Sequence, residues 1–255
     1  MKIKILTIFL LFILIACRNQ TPSRIEIRQS NEAEDADILA EFGLTGINKP
    51  NGFQYRLRYF IHPEKPGFIP DTMNGLKLFI LDKTGNSWLC FYRSYLDEES
   101  YNFYSCLYSK SGDLIWDMDI NKYFPYEHPL EVQDIKFDGS NLFFNAACIS
   151  YASESGYKCS SLICIDPVSK KIKWNTPDLT SNGIFILYED IVISSYGFWD
   201  EKDYLFIIEK LTGHIINKIA LESLCEYLEI KNDFLFAIDY QKNVYKFELS
   251  KLKNL

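Results

Sequence analysis

Histidine is scarce: His62, His128 and His214 stand singly in 255 residues. No His-rich or mixed His/Cys metal cluster is therefore written in the chain. None of the seven cysteines falls in a CxxC pair and no two are adjacent, which removes the common zinc spacing. There is no basic block, and 27 Lys and Arg against 34 Asp and Glu leave a net charge of -7. That balance argues against a nucleic-acid partner. A Gly-rich phosphate loop, a Ser nucleophile elbow and a Cys/His pairing are all missing. Paired carboxylates occur only in loop-like stretches, where solvation accounts for them. No motif thus assigns a catalytic residue, a metal ligand or a cofactor site, and the chain is expected to be non-catalytic.

No apolar run reaches the roughly 20 residues that span a bilayer, but a shorter one opens the chain. In MKIKILTIFLLFILIACRNQ, Lys2 and Lys4 precede an apolar stretch from Ile5 to Ile15, the organisation of a signal peptide. The stretch ends in Leu14-Ile15-Ala16-Cys17, which resembles the bacterial lipobox. That resemblance implies a signal peptide over 1–16, acyl chains of the palmitate type on Cys17, and a lipid anchor in the membrane; two or more acyl chains anchor stably where one is marginal. Arg18 and Asn19 follow instead of an Asp, which points to the outer membrane or cell surface rather than the inner membrane. Residues 17–52 read as a lipidated tether. Its acidic cluster, Glu32, Glu34, Asp35 and Asp37, lacks the alternating spacing and Gly of a calcium loop and is read as a solvated spacer. A short helix over Ala33–Phe42 would end at Gly43.

The remaining residues, 53–255, are long enough for one domain with a real core. Aromatics make up 16% of the chain and Ile is plentiful, which favours strands over helices. Four groups of strands are predicted. They are 76–81, 87–94, 101–109 and 113–118; then 132–137, 141–151, 157–165 and 171–175; then 184–188, 191–198, 204–211 and 214–220; and finally 224–230, 233–240 and 243–249. The last group is one strand short, and 53–61 (FQYRLRYFI) is the candidate to complete it, which would leave no free sheet edge. A turn-and-strand pattern recurs inside these groups. Trp116, Trp174 and Asn217 each stand four residues after a turn residue, namely Gly112, Lys170 and Gly213. The interval from Lys170 to Gly213 is a usual propeller-blade length. A similar stretch, with Trp88 three residues after Gly85, reads as either a coincidence or a different hairpin.

The motif Cys164-Ile165-Asp166-Pro167-Val168-Ser169-Lys170-Lys171-Ile172-Lys173-Trp174 resembles the blade ending of the PQQ-like (quinoprotein-type) β-propeller repeat, Ala-x-Asp-x-x-Thr-Gly-x-x-x-Trp. It matches at the Asp and Trp and has Lys170 in place of Gly. The copy around Thr212-Gly213 keeps those two residues but has Glu209 and Asn217 at the Asp and Trp positions; the copy around Gly112 and Trp116 has Tyr108 at the Asp position. The resemblance implies an all-β fold, a β-propeller of about four to five four-stranded blades. It does not imply quinone binding, since the dehydrogenases of that type use about eight blades and a vicinal Cys pair. The nearer, though distant, analogy is to BamB-like lipoproteins, which implies a non-catalytic scaffold in an envelope assembly, with an envelope protein as partner. A glycan- or small-ligand-binding surface lipoprotein is the alternative.

Blade register separates two ends. Loops 95–100, 152–157 and 197–204 would emerge at one end, carrying Asp97, Glu98, Glu99, Glu154, Asp200, Glu201 and Asp203. Turns with Lys110, Lys170, Lys171 and Lys210 would emerge at the other. Tyr196, Phe198, Trp199, Asp200 and Glu201 are the candidate partner contacts, since aromatics among charges suit recognition. Register also places Cys90 opposite Cys106 on adjacent strands and sets Cys148 and Cys159 about a loop tip. These are candidate cross-strand disulfides if the geometry allows, with buried free thiols the open alternative.

Overall fold

The computed structural model describes residues 40–44, 65–94, 101–198 and 201–253. The lipobox-like start, the acidic cluster, 53–61, His62, loop 95–100, Trp199 and Asp200 lie outside the described residues. Within them the fold is all-β, built from four antiparallel sheets in chain order. The first holds β1 (Thr72–Met73), β2 (Leu76–Thr84), β3 (Ser87–Arg93), β4 (Phe103–Ser109) and β5 (Leu114–Asp119), and the second β6 (Leu130–Glu131), β7 (Ile135–Phe137), β8 (Leu142–Cys148), β9 (Ser161–Asp166) and β10 (Lys171–Asn175). The third has β11 (Phe185–Tyr188), β12 (Ile191–Tyr196), β13 (Tyr204–Glu209) and β14 (Ile215–Ala220), and the fourth β15 (Cys225–Lys231), β16 (Phe234–Asp239) and β17 (Val244–Glu248). Each is an antiparallel meander, the second with its first strand in two pieces that both pair β8, on the strand plan of a propeller blade.

Two-residue periodicity decides how the sheets stack. In β3, Leu89 and Phe91 turn to one face, while Cys90 and Tyr92 turn to the other. The first face meets Leu142, Phe144, Ile163 and Ile165 of the second sheet. Phe143, Leu162 and Cys164, on the reverse of the second sheet, meet Val192, Phe206 and Ile208 of the third. Ile191, Ile193, Leu205 and Ile207 then meet Leu228, Leu235, Ala237 and Phe247 of the fourth. Both faces of the inner sheets are thus apolar, which explains the near-continuous hydrophobic runs in these strands. The two end faces are covered by chain from outside the sheets. Ile69 packs on Leu78, Cys90 and Tyr92, and Phe42 and Leu44 pack on Tyr227, Phe236 and Val244. Residues 40–42 are helical and stop at Gly43, and the rest of the predicted Ala33–Phe42 helix lies outside the described residues.

The recurring turn has a single geometry. Gly112, Lys170 and Gly213 all have positive φ, at 96°, 55° and 75°. In each outer strand the ladder then slips by one residue, between Leu114 and Trp116, Ile172 and Trp174, and Ile215 and Asn217. This β-bulge turns the fourth residue inward. Trp116 reaches Phe137 of the next sheet, 5.6 Å between ring centroids. Trp174 reaches further, its Nε1 donating to the carbonyl of Lys210 at 3.1 Å. Its ring lies where a Cβ on Gly213 would stand, 2.6 Å away. Asn217 continues the series by donating to the Leu252 carbonyl at 3.5 Å. Gly85 sits in the β2–β3 hairpin, so the Trp88 stretch is indeed a different hairpin.

The inner strand of the second sheet is broken into β6 and β7, both paired to β8. Asn145 spans the break: its Oδ1 accepts from the amides of Gln133 and Asp134, at 2.8 and 3.0 Å. Its Nδ2 donates to the Gly183 carbonyl at 2.6 Å. Asp134 accepts from the Phe185 amide at the start of β11, so the break is also a polar tie between two sheets.

Gly213→Ala should lower the free energy of unfolding by about 2–4 kcal/mol, from the positive-φ penalty plus overpacking against Trp174. Urea denaturation of the variant measures it, and an unchanged midpoint would contradict the interlock.

Candidate interaction surface

Successive hairpins alternate between the two ends of a sheet, so the β8–β9 and β12–β13 connections share one end. A disulfide between Cys148 and Cys159, with 5.1 Å between their Cα atoms, closes the first connection at its base. Closing a loop of this length stabilises by about 2–3 kcal/mol in the chain-entropy account. A 3-10 turn over Ala152–Ser155 fills the loop and ends at Gly156. Ser155 Oγ donates back to the Ala152 carbonyl at 2.8 Å.

The second connection is tied to the first. The Ala152 amide donates to Glu201 Oε1 at 3.2 Å, and the Tyr196 hydroxyl donates to Glu201 Oε2. Asn182 grips the Gly197 peptide from both sides, donating to its carbonyl at 2.7 Å and accepting from its amide at 3.1 Å. Held this way, Phe198 meets Tyr151 edge to face, with 4.8 Å between centroids. Tyr157, whose amide donates to the Ala152 carbonyl in the same loop, is 56% exposed. Tyr126 stacks on His128 nearby in sequence, and its hydroxyl donates to Asp178 at 2.6 Å, which pushes the phenol up to about 12. The arrangement is an aromatic surface on loops held by a disulfide and side-chain hydrogen bonds.

The candidate contacts divide accordingly. Phe198 and Glu201 belong to this surface. Tyr196 does not: it is 5% exposed and packs between the second and third sheets, its β-strand alternation turning the ring inward. Trp199 and Asp200 lie outside the described residues. Tyr151 was missed in the sequence because it precedes the polar tip 152–157 and reads there as the end of a strand. Of the four cysteines singled out, Cys148 and Cys159 are bonded, whereas Cys90 and Cys106 are buried free thiols. They face each other in register across β3 and β4, and the Cys106 thiol and burial push the Cys90 thiol far up.

A second polar group gathers at the same end. Arg93 and Glu131 form an ion pair at 3.1 Å with both side chains nearly inaccessible, and the guanidinium lies 3.8 Å from the Phe79 ring centroid. Such a pair joins the first two sheets and would be costly to break on one side only. Asp239 accepts from Asn243 and from the Tyr245 hydroxyl. Asp203 is different: its Oδ1 is buried without a hydrogen-bond partner among the described residues. Burial first, then the Asp239 and Glu201 charges, push its carboxyl up to about 6. Among the described residues no group of three or more His, Cys, Asp or Glu could hold a metal ion, and no helix is long and apolar enough to cross a membrane.

No protein-family model matches the chain, and no curated protein matches it. Solved structures resemble its backbone. The β-propeller domain of the Trilobed protease from Pyrococcus furiosus has a TM-score of 0.44 at 12% identity, covering 65% of this chain and 49% of that one. BamB from Moraxella catarrhalis has a TM-score of 0.30 at 10% identity, covering 69% of this chain and 70% of that one. A europium-containing methanol dehydrogenase has a TM-score of 0.35 at 11% identity, covering 57% and 27%. At these identities the likeness concerns the fold alone.

An acid whose folded-state pKa is raised holds its proton more tightly folded than unfolded, so stability falls as pH climbs from 3.8 to about 6 across the Asp203 titration. Asp203→Asn should unfold at a higher temperature than the parent above that window and should lose this part of the pH dependence. Melting curves collected across the window check it; parallel curves for the two proteins would contradict it.

Proposed function

We propose that the chain is an exported, lipid-anchored envelope protein whose β-propeller is a non-catalytic scaffold for another envelope protein. The observation that carries this reading is the Tyr151–Phe198 pair with exposed Tyr157, held on loops closed by a disulfide and tied through Glu201. Rigid aromatics on pre-organised loops bind with little loss of side-chain freedom and are the side chains that dominate protein interfaces. The lipobox-like Leu14-Ile15-Ala16-Cys17 supplies the anchor at Cys17. A bonded Cys148 and Cys159 fits an oxidising compartment outside the cytosol.

A photo-crosslinking residue placed at Tyr157 should capture a defined protein in intact cells, and one placed at Thr212, at the opposite end, should not. Tyr151→Ala with Phe198→Ala should cut the yield about tenfold or more. Capture unaffected by the double variant would overturn the reading. Loss of capture on adding soluble envelope glycan, with no protein adduct, would favour a glycan instead.

A further inference from the structure

At the end away from those loops, the three recurring turns carry a different surface. Val168 and Leu211 occupy the same position in the β9–β10 and β13–β14 turns, and they are 84% and 81% exposed. Leu114 and Ile115 on β5, Ile172 on β10 and Ile216 on β14 are also exposed, each on the outermost strand of its sheet. The bulges that turn Trp116 and Trp174 inward free their neighbours to point outward.

The turns and outer strands that carry these side chains adjoin one another. Lys170 Nζ on the second sheet's turn lies 3.9 Å from Asp117 on β5. Trp174 on β10 bonds Lys210 at the base of the third sheet's turn. Each turn therefore abuts the outer strand of the sheet before it.

The charge of this surface is also distinct. Lys110, Lys171 and Lys173 are exposed around the tips, and among the described residues none has a salt bridge. The nearby acids are engaged within the turns. Asp113 accepts from the hydroxyls of Ser109 and Ser111 in its own hairpin, Asp166 accepts from the amides of Val168 and Ser169, and Glu209 accepts from Thr212. A chain of net charge -7 thus presents cations without a salt bridge among the described residues where its most exposed aliphatic residues stand. Aliphatic tips ringed by lysines fit the interface of an anionic bilayer, where apolar groups enter the acyl boundary and lysines meet headgroup phosphates.

We propose that this outer edge docks on an anionic lipid surface, with Val168 and Leu211 entering the interface and Lys110, Lys171 and Lys173 meeting phosphates. The inference rests on the proposed membrane anchoring only for bringing the edge near a bilayer. It would leave the Tyr151–Phe198 surface facing away from the lipid.

Lysine acetylation footprinting of the full chain tests it, without vesicles, with phosphatidylcholine vesicles, and with vesicles that also contain phosphatidylglycerol. Acetylation of Lys110, Lys171 and Lys173 should slow about fivefold, and only with phosphatidylglycerol present. Lys158 and Lys202, at the other end, should be unaffected, and added salt should restore labelling. Val168→Glu with Leu211→Glu should abolish the protection while leaving labelling without vesicles unchanged. Equal labelling with and without phosphatidylglycerol, or equal slowing at Lys158 and Lys202, would overturn the proposal. Failure of the anchor reads out separately, as a chain that does not stay with phosphatidylcholine vesicles.

Discussion

A strand with apolar residues on both faces needs a sheet on each side, and that requirement organises this molecule. The second and third sheets satisfy it by lying between neighbours. The outer two cannot, so Ile69 covers one end face and Phe42 with Leu44 the other. Burial of whole aromatic and aliphatic side chains, each contributing about 1.5–3 kcal/mol, outweighs any single polar tie in the structure. The polar ties fix register instead. Asn145, Asp134 and Gln133 bind the broken inner strand of the second sheet to the start of β11.

The recurring turn converts that stacking into an interlock. A positive-φ residue, a bulge and an inward fourth residue make each sheet reach across to the next. Trp174 completes the device with a ring against Gly213 and an indole hydrogen bond. Trp116 packs on Phe137 instead, and its Nε1 has no hydrogen-bond partner among the described residues. The same bulge that buries the tryptophan exposes its aliphatic neighbour. Core packing and the exposed aliphatic residues of the outer strands therefore share one backbone irregularity, while Val168 and Leu211 stand in the turns before it.

The strands were legible because alternating or continuous apolar runs end at Gly, Asn and Asp turns. Predicted 184–188, 191–198, 204–211 and 214–220 became Phe185–Tyr188, Ile191–Tyr196, Tyr204–Glu209 and Ile215–Ala220. The repeat was legible too, because Gly112, Lys170 and Gly213 hold the same spacing to the residue they turn inward. What the pattern could not show was long-range. That Asn145 replaces two ladder hydrogen bonds, or that Glu201 reaches Ala152 49 residues away, is invisible to local periodicity. Tyr196 was misplaced for a similar reason: it ends a strand beside a polar loop, and only the third dimension turns it inward. Opposed cysteines looked alike in sequence, yet Cys148 and Cys159 flank a loop and bond, while Cys90 and Cys106 lie within a packed face.

Hydrogen exchange on Trp174→Ala tests the interlock most directly. If sheets are held together by the side chain that crosses to the next turn, protection should fall in β10 and also in β13 and β14, with β15–β17 unchanged. Loss of protection confined to β10 would show that each sheet stands alone and would contradict the account.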